Sequence, residues 1–374
     1  MNKKYILVLI FFGYYFIGGI ISGLSFIESI KLILGFLVIL SPMLIYDFYS
    51  KNNKEKSIVI LCISILTIYV FVSVKTIIIL HSVPNAARAL ASGSIHNKQL
   101  GALNDLGIGG GYDLTYALCM LVPFLVIFIK NRIIKNVFFK TFIFLFILIG
   151  VYTIIKSDYG MGFLLTIISI IYALFILNGK LKRDLLFLFC SLLFFYLIST
   201  FFLQTITDLL IDISTLFDNT FIGQRLQELA YGLRGNGFGD STEYRFQLYE
   251  KSLHTFMANL FIGVGHLTQY DYYNGLLFVG GHSEWLDFLG VFGLFGSIPV
   301  ILFMSLHLLE VLKKFRSTKY QSPILVSYVL FVVIGSINLV FKFGIMVALL
   351  LVIPCFPIVV EYLNKKYINR GSKS

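Results

Sequence analysis

The sequence predicts an all-α, polytopic integral membrane protein: a helix bundle with about ten transmembrane helices. Of its 374 residues, 58% are hydrophobic and only 13% are charged, and the mean hydropathy is +0.88. Both values lie far outside the range of soluble globular proteins. The apolar residues also fall into runs that approach the roughly 20 residues a helix needs to cross a bilayer. We therefore expect a single membrane domain over residues 1–374, with no separate soluble domain.

Ten apolar runs have the length of a membrane span. In chain order they cover residues 5–24, 32–49, 57–80, 113–129, 137–155, 161–178, 184–203, 284–308, 323–341 and 344–360. The first run has a basic start, as a signal peptide does, but no small-residue cleavage site follows it. We interpret it as an uncleaved helix, and ten spans then leave both termini on the same side of the membrane.

The distribution of charge predicts which side that is. If the N-terminus is cytoplasmic, most of the 30 Lys and Arg residues fall in inner loops and tails, where such residues are retained preferentially. Most of the 19 Asp and Glu residues then fall at the outer face. This asymmetry accounts for the net charge of +11 without any nucleic-acid partner.

The long polar segment over residues 204–283 interrupts the apolar runs on the outer side, and we expect it to be a large extracytoplasmic loop that holds the chemistry. After Thr242, a candidate N-cap, apolar residues recur with the spacing of one helical face. They are Tyr249, Leu253, Phe256, Met257 and Leu260. Arg245, one turn earlier, extends this face. The pattern predicts a helix that lies in the membrane interface rather than across it.

The end of this loop carries a histidine at the start of the next apolar run. His282 is followed by Ser283, and two acids, Glu284 and Asp287, stand in the first turn, where they complement the helix dipole. Histidine is the side chain best suited to act as a base near neutral pH. A cationic arginine and an imidazole at a membrane surface indicate an enzyme that acts on a lipid-linked substrate. Either acid is a candidate for positioning His282.

Two blocks in this region resemble the O-antigen ligase and polymerase family of polytopic membrane glycosyltransferases. The first reads Glu243-Tyr-Arg245-Phe-Gln-Leu-Tyr249 and runs on to Leu260-Phe-Ile-Gly263-Val-Gly265. The second reads Gly281-His282-Ser283-Glu284-Trp285-Leu286, followed by spaced glycines at Gly290, Gly293 and Gly296 that let a neighbouring helix approach closely. The family often has Asn where this chain has Ser283. The resemblance covers residues 241–300 closely and the remainder in topology.

The resemblance implies a substrate and a location. Such proteins transfer glycan from undecaprenyl-diphosphate-linked oligosaccharide at the outer face of the bacterial inner (cytoplasmic) membrane, without a metal ion or other cofactor. Its further implied partners are the lipid membrane and a chain-length regulator or flippase. The outer acidic residues contain no Asp-x-Asp pair, which is consistent with metal-free transfer.

The chemistry of the transfer assigns the candidate site residues. Fixed cations stabilise the negative charge that grows on a leaving diphosphate. The expected catalytic residues are His282, Arg245 and Glu284, and the expected substrate-binding residues are Arg225, Arg234, Arg88, Lys156 and Tyr249. Lys156 is included because the family commonly has a Ser-Arg-Gly element where this chain reads Lys156-Ser157-Asp158-Tyr159-Gly160. A lysine there supplies a point charge and not the bidentate fork of arginine.

Three functions follow from these features. The first is a polymerase that joins lipid-linked repeat units of an O-antigen or capsular polysaccharide. The second is a ligase that transfers finished glycan to lipid A core or another acceptor. The third, from a different class, is a membrane transporter or flippase, but transporters concentrate polar residues near the bilayer midplane in paired repeats. Here the polar residues gather in one outer loop, which favours an enzyme.

Overall fold

A computed structural model describes residues 3–83, 86, 112–175, 203–218, 220–234, 240–265, 279–316 and 318–371. Within these ranges the chain forms helices and connections and no β-strand, which confirms the all-α class. In chain order the helices are α1 (Lys3–Ile21), α2 (Phe26–Lys51), α3 (Glu55–Ser82), α4 (Tyr112–Lys130), α5 (Val137–Lys156), α6 (Gly160–Phe175), α7 (Leu203–Thr215), α8 (Phe221–Leu233), α9 (Asp240–Ala258), α10 (Glu284–Lys314), α11 (Gln321–Ile337) and α12, which joins Phe343–Val347 to Ile353–Gly371 through a π-helical turn at Ala348–Val352.

The long apolar helices confirm a polytopic membrane protein. Seven helices in the described ranges are long and apolar enough to cross a membrane, namely α1, α2, α3, α4, α5, α10 and α12. The apolar helices α6 and α11 are shorter. These nine helices coincide with nine of the ten predicted spans. The remaining predicted span, 184–203, lies outside the described residues apart from its last position.

The chain divides into two compact units. The first unit comprises Met1–Ser41, Asp240–Arg316 and Phe331–Lys342, and the second comprises Pro42–Gly239, Ser317–Leu330 and Phe343–Ser374. Arg245 and His282 belong to the first unit, whereas Arg225, Arg234 and Lys156 belong to the second. The single membrane domain with a catalytic loop at 204–283 stays a prediction.

The centre of the second unit is formed by two almost fully buried helices, α4 and α12. The Asp113 carboxylate at the start of α4 accepts hydrogen bonds from the backbone N–H groups of Gly344 (3.1 Å) and Ile345 (2.8 Å). These two donors lie in the first turn of α12, where intrahelical acceptors are lacking. The carboxylate therefore caps α12 and fixes where it begins.

The first unit is built around α10, against which α1 packs through aromatic rings. The Phe11 ring centroid lies 5.8 Å from that of Phe288 and 5.4 Å from that of Phe292. Further along the same pair of helices, the fully buried Lys4 donates a 2.5 Å hydrogen bond to the Glu310 carboxylate. Apolar packing and one ion pair thus hold α1 along much of α10, whose first residue follows His282 by two positions.

Candidate functional site

Helix α9 presents three polar side chains on one face. Arg245, Tyr249 and Ser252 stand at positions i, i+4 and i+7, so they line up along the helix. Arg245 and Tyr249 are both half-buried. Ser252 is 1% exposed, which puts this polar face towards the interior of the unit. The apolar positions Leu253 and Met257, which the sequence assigned to the same face as Arg245, are exposed instead.

The turn before α10 brings His282 to this polar face. The backbone N–H of Gly280 donates a 2.8 Å hydrogen bond to Ser252 Oγ, so the turn is attached directly to α9. Ser283 then caps α10, because its Oγ accepts a 3.4 Å hydrogen bond from the backbone N–H of Leu286. His282 is half-buried between these two attachments.

A buried carboxylate completes the attachment of the turn. Ser252 Oγ donates a 2.6 Å hydrogen bond to Asp287 Oδ1, and Asp287 is only 7% exposed. The backbone N–H of Asp287 donates a 2.9 Å hydrogen bond to Ser283 O, and Asp287 Oδ2 is buried without a hydrogen-bond partner among the described residues. Asp287 therefore sits beneath the turn that carries His282 and binds both the turn and α9.

Arg245 and His282 act on each other electrostatically. Burial lowers the pKa of His282, and the positive charge of Arg245 lowers it further. Burial raises the pKa of Tyr249, against the opposing effect of Arg245. Near neutral pH the imidazole is therefore uncharged and able to accept a proton, while the phenol stays protonated. The structure brings together three of the predicted site residues, a cation, an uncharged imidazole and a phenol.

Glu284 occupies a different position from the one expected of a partner of the His282 ring. Its Oε2 accepts hydrogen bonds from the backbone N–H groups of Val340 (2.7 Å) and Phe341 (3.1 Å). Both residues belong to the segment between α11 and α12, so Glu284 fastens the first turn of α10 to that segment. The catalytic role of Glu284 stays a prediction. Its contacts in the structure hold two segments of the backbone together.

Helix α10 is interrupted by a glycine break at Gly293, where φ is 57° and ψ is −166°. Backbone groups that the break leaves without intrahelical partners pair with residues 260–265, the segment that follows α9. The donor-acceptor pairs are Val264 N to Gly290 O (3.1 Å), Gly265 N to Val291 O (2.8 Å), Leu294 N to Leu260 O (2.9 Å) and Phe295 N to Phe261 O (3.0 Å). Membrane helices tolerate broken backbone only where such groups are satisfied by protein. The pairing joins the end of the first motif block to the second.

Close backbone approach at the glycine break explains the glycines of both blocks. A Cβ atom on Gly293 would lie 2.5 Å from the carbonyl of Phe261 and from the backbone nitrogen of Gly263. Gly263 itself has a φ of +68°, a conformation that residues with a side chain rarely adopt. Gly296 serves close approach of a neighbouring helix as predicted, against the Tyr14 ring of α1, whereas Gly290 lies against the Val279 side chain of the turn before α10. Gly293 has the additional role of breaking the helix.

We expect Gly293→Ala to destabilise the protein by about 3 kcal/mol or more, because its backbone conformation is essentially restricted to glycine and the new Cβ meets rigid backbone. The measurement is the thermal unfolding midpoint of the purified protein in detergent. Gly35→Ala in α2 is the matched control, because no atom lies within 4 Å of a Cβ built there. Equal midpoints for the two variants would show that the glycine break tolerates a side chain.

Two predicted substrate-binding arginines of the second unit are engaged by carboxylates. Arg225 in α8 forms an ion pair with Glu228, one turn further along the helix. Arg234, at the C-terminal end of α8, forms an ion pair with Asp208 of α7, and its Nε donates a 2.9 Å hydrogen bond to Thr207 Oγ1. Arg234 therefore links the two helices of the predicted loop, and both arginines already have a counter-charge.

Lys156 ends α5, and its Nζ lies 5.8 Å from the centroid of the Tyr152 ring. Asp158, which stands near the position of the family's arginine, accepts a 3.0 Å hydrogen bond at Oδ1 from the backbone N–H of Ile222 in the first turn of α8. The local sequence thus uses a carboxylate to cap α8 where an arginine was expected. The predicted substrate-binding residue Arg88 lies outside the described residues.

Comparison with known proteins identifies a family for part of the chain. No curated protein and no solved structure matches it. Residues 144–301 match the model of a family described as O-antigen ligase. This segment runs from α5 into α10 and includes every predicted site residue except Arg88. This match, over less than half of the chain, agrees with the resemblance of the two motif blocks.

Proposed function

We propose, from the O-antigen ligase match of residues 144–301, that this protein is a membrane glycosyltransferase, and more specifically a polymerase. In this proposal it transfers glycan from undecaprenyl-diphosphate-linked repeat units and builds an O-antigen or capsular polysaccharide. The observation that carries the proposal is the 2.8 Å hydrogen bond from Gly280 to Ser252, which attaches the turn that carries His282 to α9, the helix that carries Arg245. The reaction is assigned to the outer face of the bacterial inner membrane, with cytoplasmic termini and with a flippase or chain-length regulator as partner.

Arg245 is assigned to the leaving group. The hydroxyl oxygen of the acceptor attacks the anomeric carbon of the donor glycan, and the bond from that carbon to the diphosphate oxygen breaks. The electron pair of this bond stays with the diphosphate. A guanidinium can bind two phosphate oxygens at once, and a fixed cation in a water-poor site stabilises the developing charge far better than water does. Tyr249, one helical turn after Arg245, is assigned to substrate binding beside the guanidinium.

His282 is assigned to the acceptor. As the new glycosidic bond forms, the attacking hydroxyl loses a proton, which the uncharged imidazole accepts. The lowered pKa of His282 keeps the ring in the accepting form at neutral pH. The products are an elongated glycan on its carrier and the released lipid diphosphate. This route needs neither a metal ion nor a cofactor.

The remaining cations are assigned to substrate binding. Arg225 and Arg234 carry carboxylate partners, and such pairs offer both donors and acceptors for sugar hydroxyls. Lys156 and Arg88 are assigned to the anionic part of the substrate as point charges. Glu284 is assigned an indirect part in catalysis. It accepts hydrogen bonds from the backbone of Val340 and Phe341 and so holds the first turn of α10, which follows His282.

A ligase is the second candidate, because the matching family carries that description. The carrier-lipid profile of a deletion strain distinguishes the two. Single repeat units accumulating on the carrier are expected for a lost polymerase, whereas long chains stranded on the carrier would indicate a lost ligase. Purified protein supplied with lipid-linked repeat units in detergent should elongate them. Failure with a verified substrate would favour the transporter.

A further inference from the structure

We propose that Asp287 and Ser252 are positioning residues for His282, and that they act on the backbone of the turn that carries the ring rather than on the ring itself. This inference rests on the proposed function in one respect, because it takes from it the reaction that His282 performs. The contacts on which it depends are all within the first unit. Neither residue was expected to act in this way from the sequence, where Asp287 was considered only as a partner of the imidazole.

The first step of the argument is that Ser252 is a bridge. Its Oγ accepts a hydrogen bond from the backbone N–H of Gly280 at 2.8 Å and donates one to Asp287 Oδ1 at 2.6 Å. It therefore connects α9, the turn and α10 through one buried atom. Because Ser252 is 1% exposed, water cannot easily replace either bond.

The second step is that Asp287 is connected to the turn on both sides of His282. Its Oδ1 accepts the hydrogen bond from Ser252 Oγ, which in turn binds the backbone N–H of Gly280. On the other side, the backbone N–H of Asp287 donates to Ser283 O at 2.9 Å, and Oδ2 is buried without a hydrogen-bond partner among the described residues. These connections fix the path of the chain between Gly280 and Ser283. His282 lies within that path, so its Cα position depends on Asp287.

The third step is that the pKa of His282 depends on the charges and the solvent around its ring. The charged groups around the turn are Arg245 on α9, Glu284 and Asp287 on α10, and Lys342 in the segment after α11. The charge that lowers the pKa of His282 is that of Arg245. If the turn is released, the ring becomes more solvated and the influence of Arg245 weakens, so the pKa of His282 rises towards its ordinary value.

The expected effect on catalysis follows from misplacement of the base. Displacing a catalytic group by about 1 Å can cost on the order of 10²-fold in rate. We therefore expect Asp287→Asn to lower kcat by about 10²-fold with little change in KM for the lipid-linked donor. Ser252→Ala removes both hydrogen bonds of the bridge and should lower kcat by about tenfold or more, and Ser252→Thr should restore most of it.

The test combines turnover with a second measurement that does not depend on the reaction. Carbethoxylation of His282 in the full-length protein, followed by mass spectrometry across a pH series, gives both the accessibility and the midpoint of titration of the ring. Asp287→Asn and Ser252→Ala should raise the modification rate and move the midpoint to higher pH. Glu250→Gln and Ser336→Ala are the matched controls, because both side chains are exposed in the same unit, and neither should alter the profile.

The outcomes separate this inference from the proposed function. Changed modification in the variants, together with no elongation by the wild-type protein, would support the positioning role and count against the polymerase. Loss of elongation with wild-type modification rate and midpoint would overturn the positioning role while leaving the polymerase intact. Full turnover in Asp287→Asn would also overturn it. If a variant fails to fold, the milder Ser252→Thr and Ser252→Ala pair decides.

Discussion

Arg245→Ala is expected to abolish glycan transfer, with a fall in the initial rate of about 10³-fold and normal insertion into the membrane. The variant removes the cation assigned to the leaving diphosphate. The measurement is the initial rate of elongation by purified protein supplied with lipid-linked repeat units. Arg245→Lys should retain a small part of the activity, because an ammonium preserves the charge but not the bidentate geometry.

Lys251→Ala is the matched control for Arg245→Ala. Lys251 is a cation of the same helix and is exposed, so its removal should leave the rate within about twofold of wild type, as expected for surface substitutions. Both variants should show the same yield and the same elution profile in detergent. A fully active Arg245→Ala protein would remove this arginine from the mechanism and shift attention to the cations of the second unit.

His282→Ala is expected to reduce the rate by about 10²- to 10⁴-fold, the range typical of a lost general base. His254→Ala, an exposed histidine on α9, is the control and should remain active. The pH profile provides a sharper test. Because the pKa of His282 is lowered, wild-type activity should persist through neutral pH and fall only when acid protonates the ring below its ordinary pKa range.

The effect of Arg245 on the pKa of His282 can be tested with the same pH profiles. Removing the positive charge of Arg245 raises the pKa of His282. The residual activity of Arg245→Gln should therefore begin to fall at a higher pH than that of wild type. An unchanged or lower midpoint would show that the guanidinium does not act on this imidazole.

Much of the fold was predictable because membrane spans follow from the length of apolar runs. Nine of the predicted spans coincide with helices in the described ranges, and the helix that carries Arg245 begins at Asp240, close to the candidate cap Thr242. These features depend on local composition and spacing, which a single sequence reports directly. The grouping of Arg245 with His282 was expected from the resemblance of the two motif blocks instead, and the roles of both residues stay predictions.

The network around His282 was not predictable, because it depends on contacts between residues distant in the chain. Ser252 looks like an ordinary helical serine, and its only sequence signal is its position seven residues after Arg245 on the same helical face. Gly293 matched a small-residue packing pattern, and nothing local distinguishes it from Gly290 as the site of a break. The anchoring of Glu284 on Val340 and Phe341 likewise requires knowledge of where the chain returns.

The glycine break has a consequence for how such a protein can diversify. Its backbone pairs join residues 260–265 to residues 290–295, so the two motif blocks are tied together by main-chain atoms. Side chains on either block can therefore be exchanged without loosening this connection. A lineage of such proteins can in this way vary the side chains around the break while Gly263 and Gly293, whose backbone conformations disfavour a side chain, stay the same.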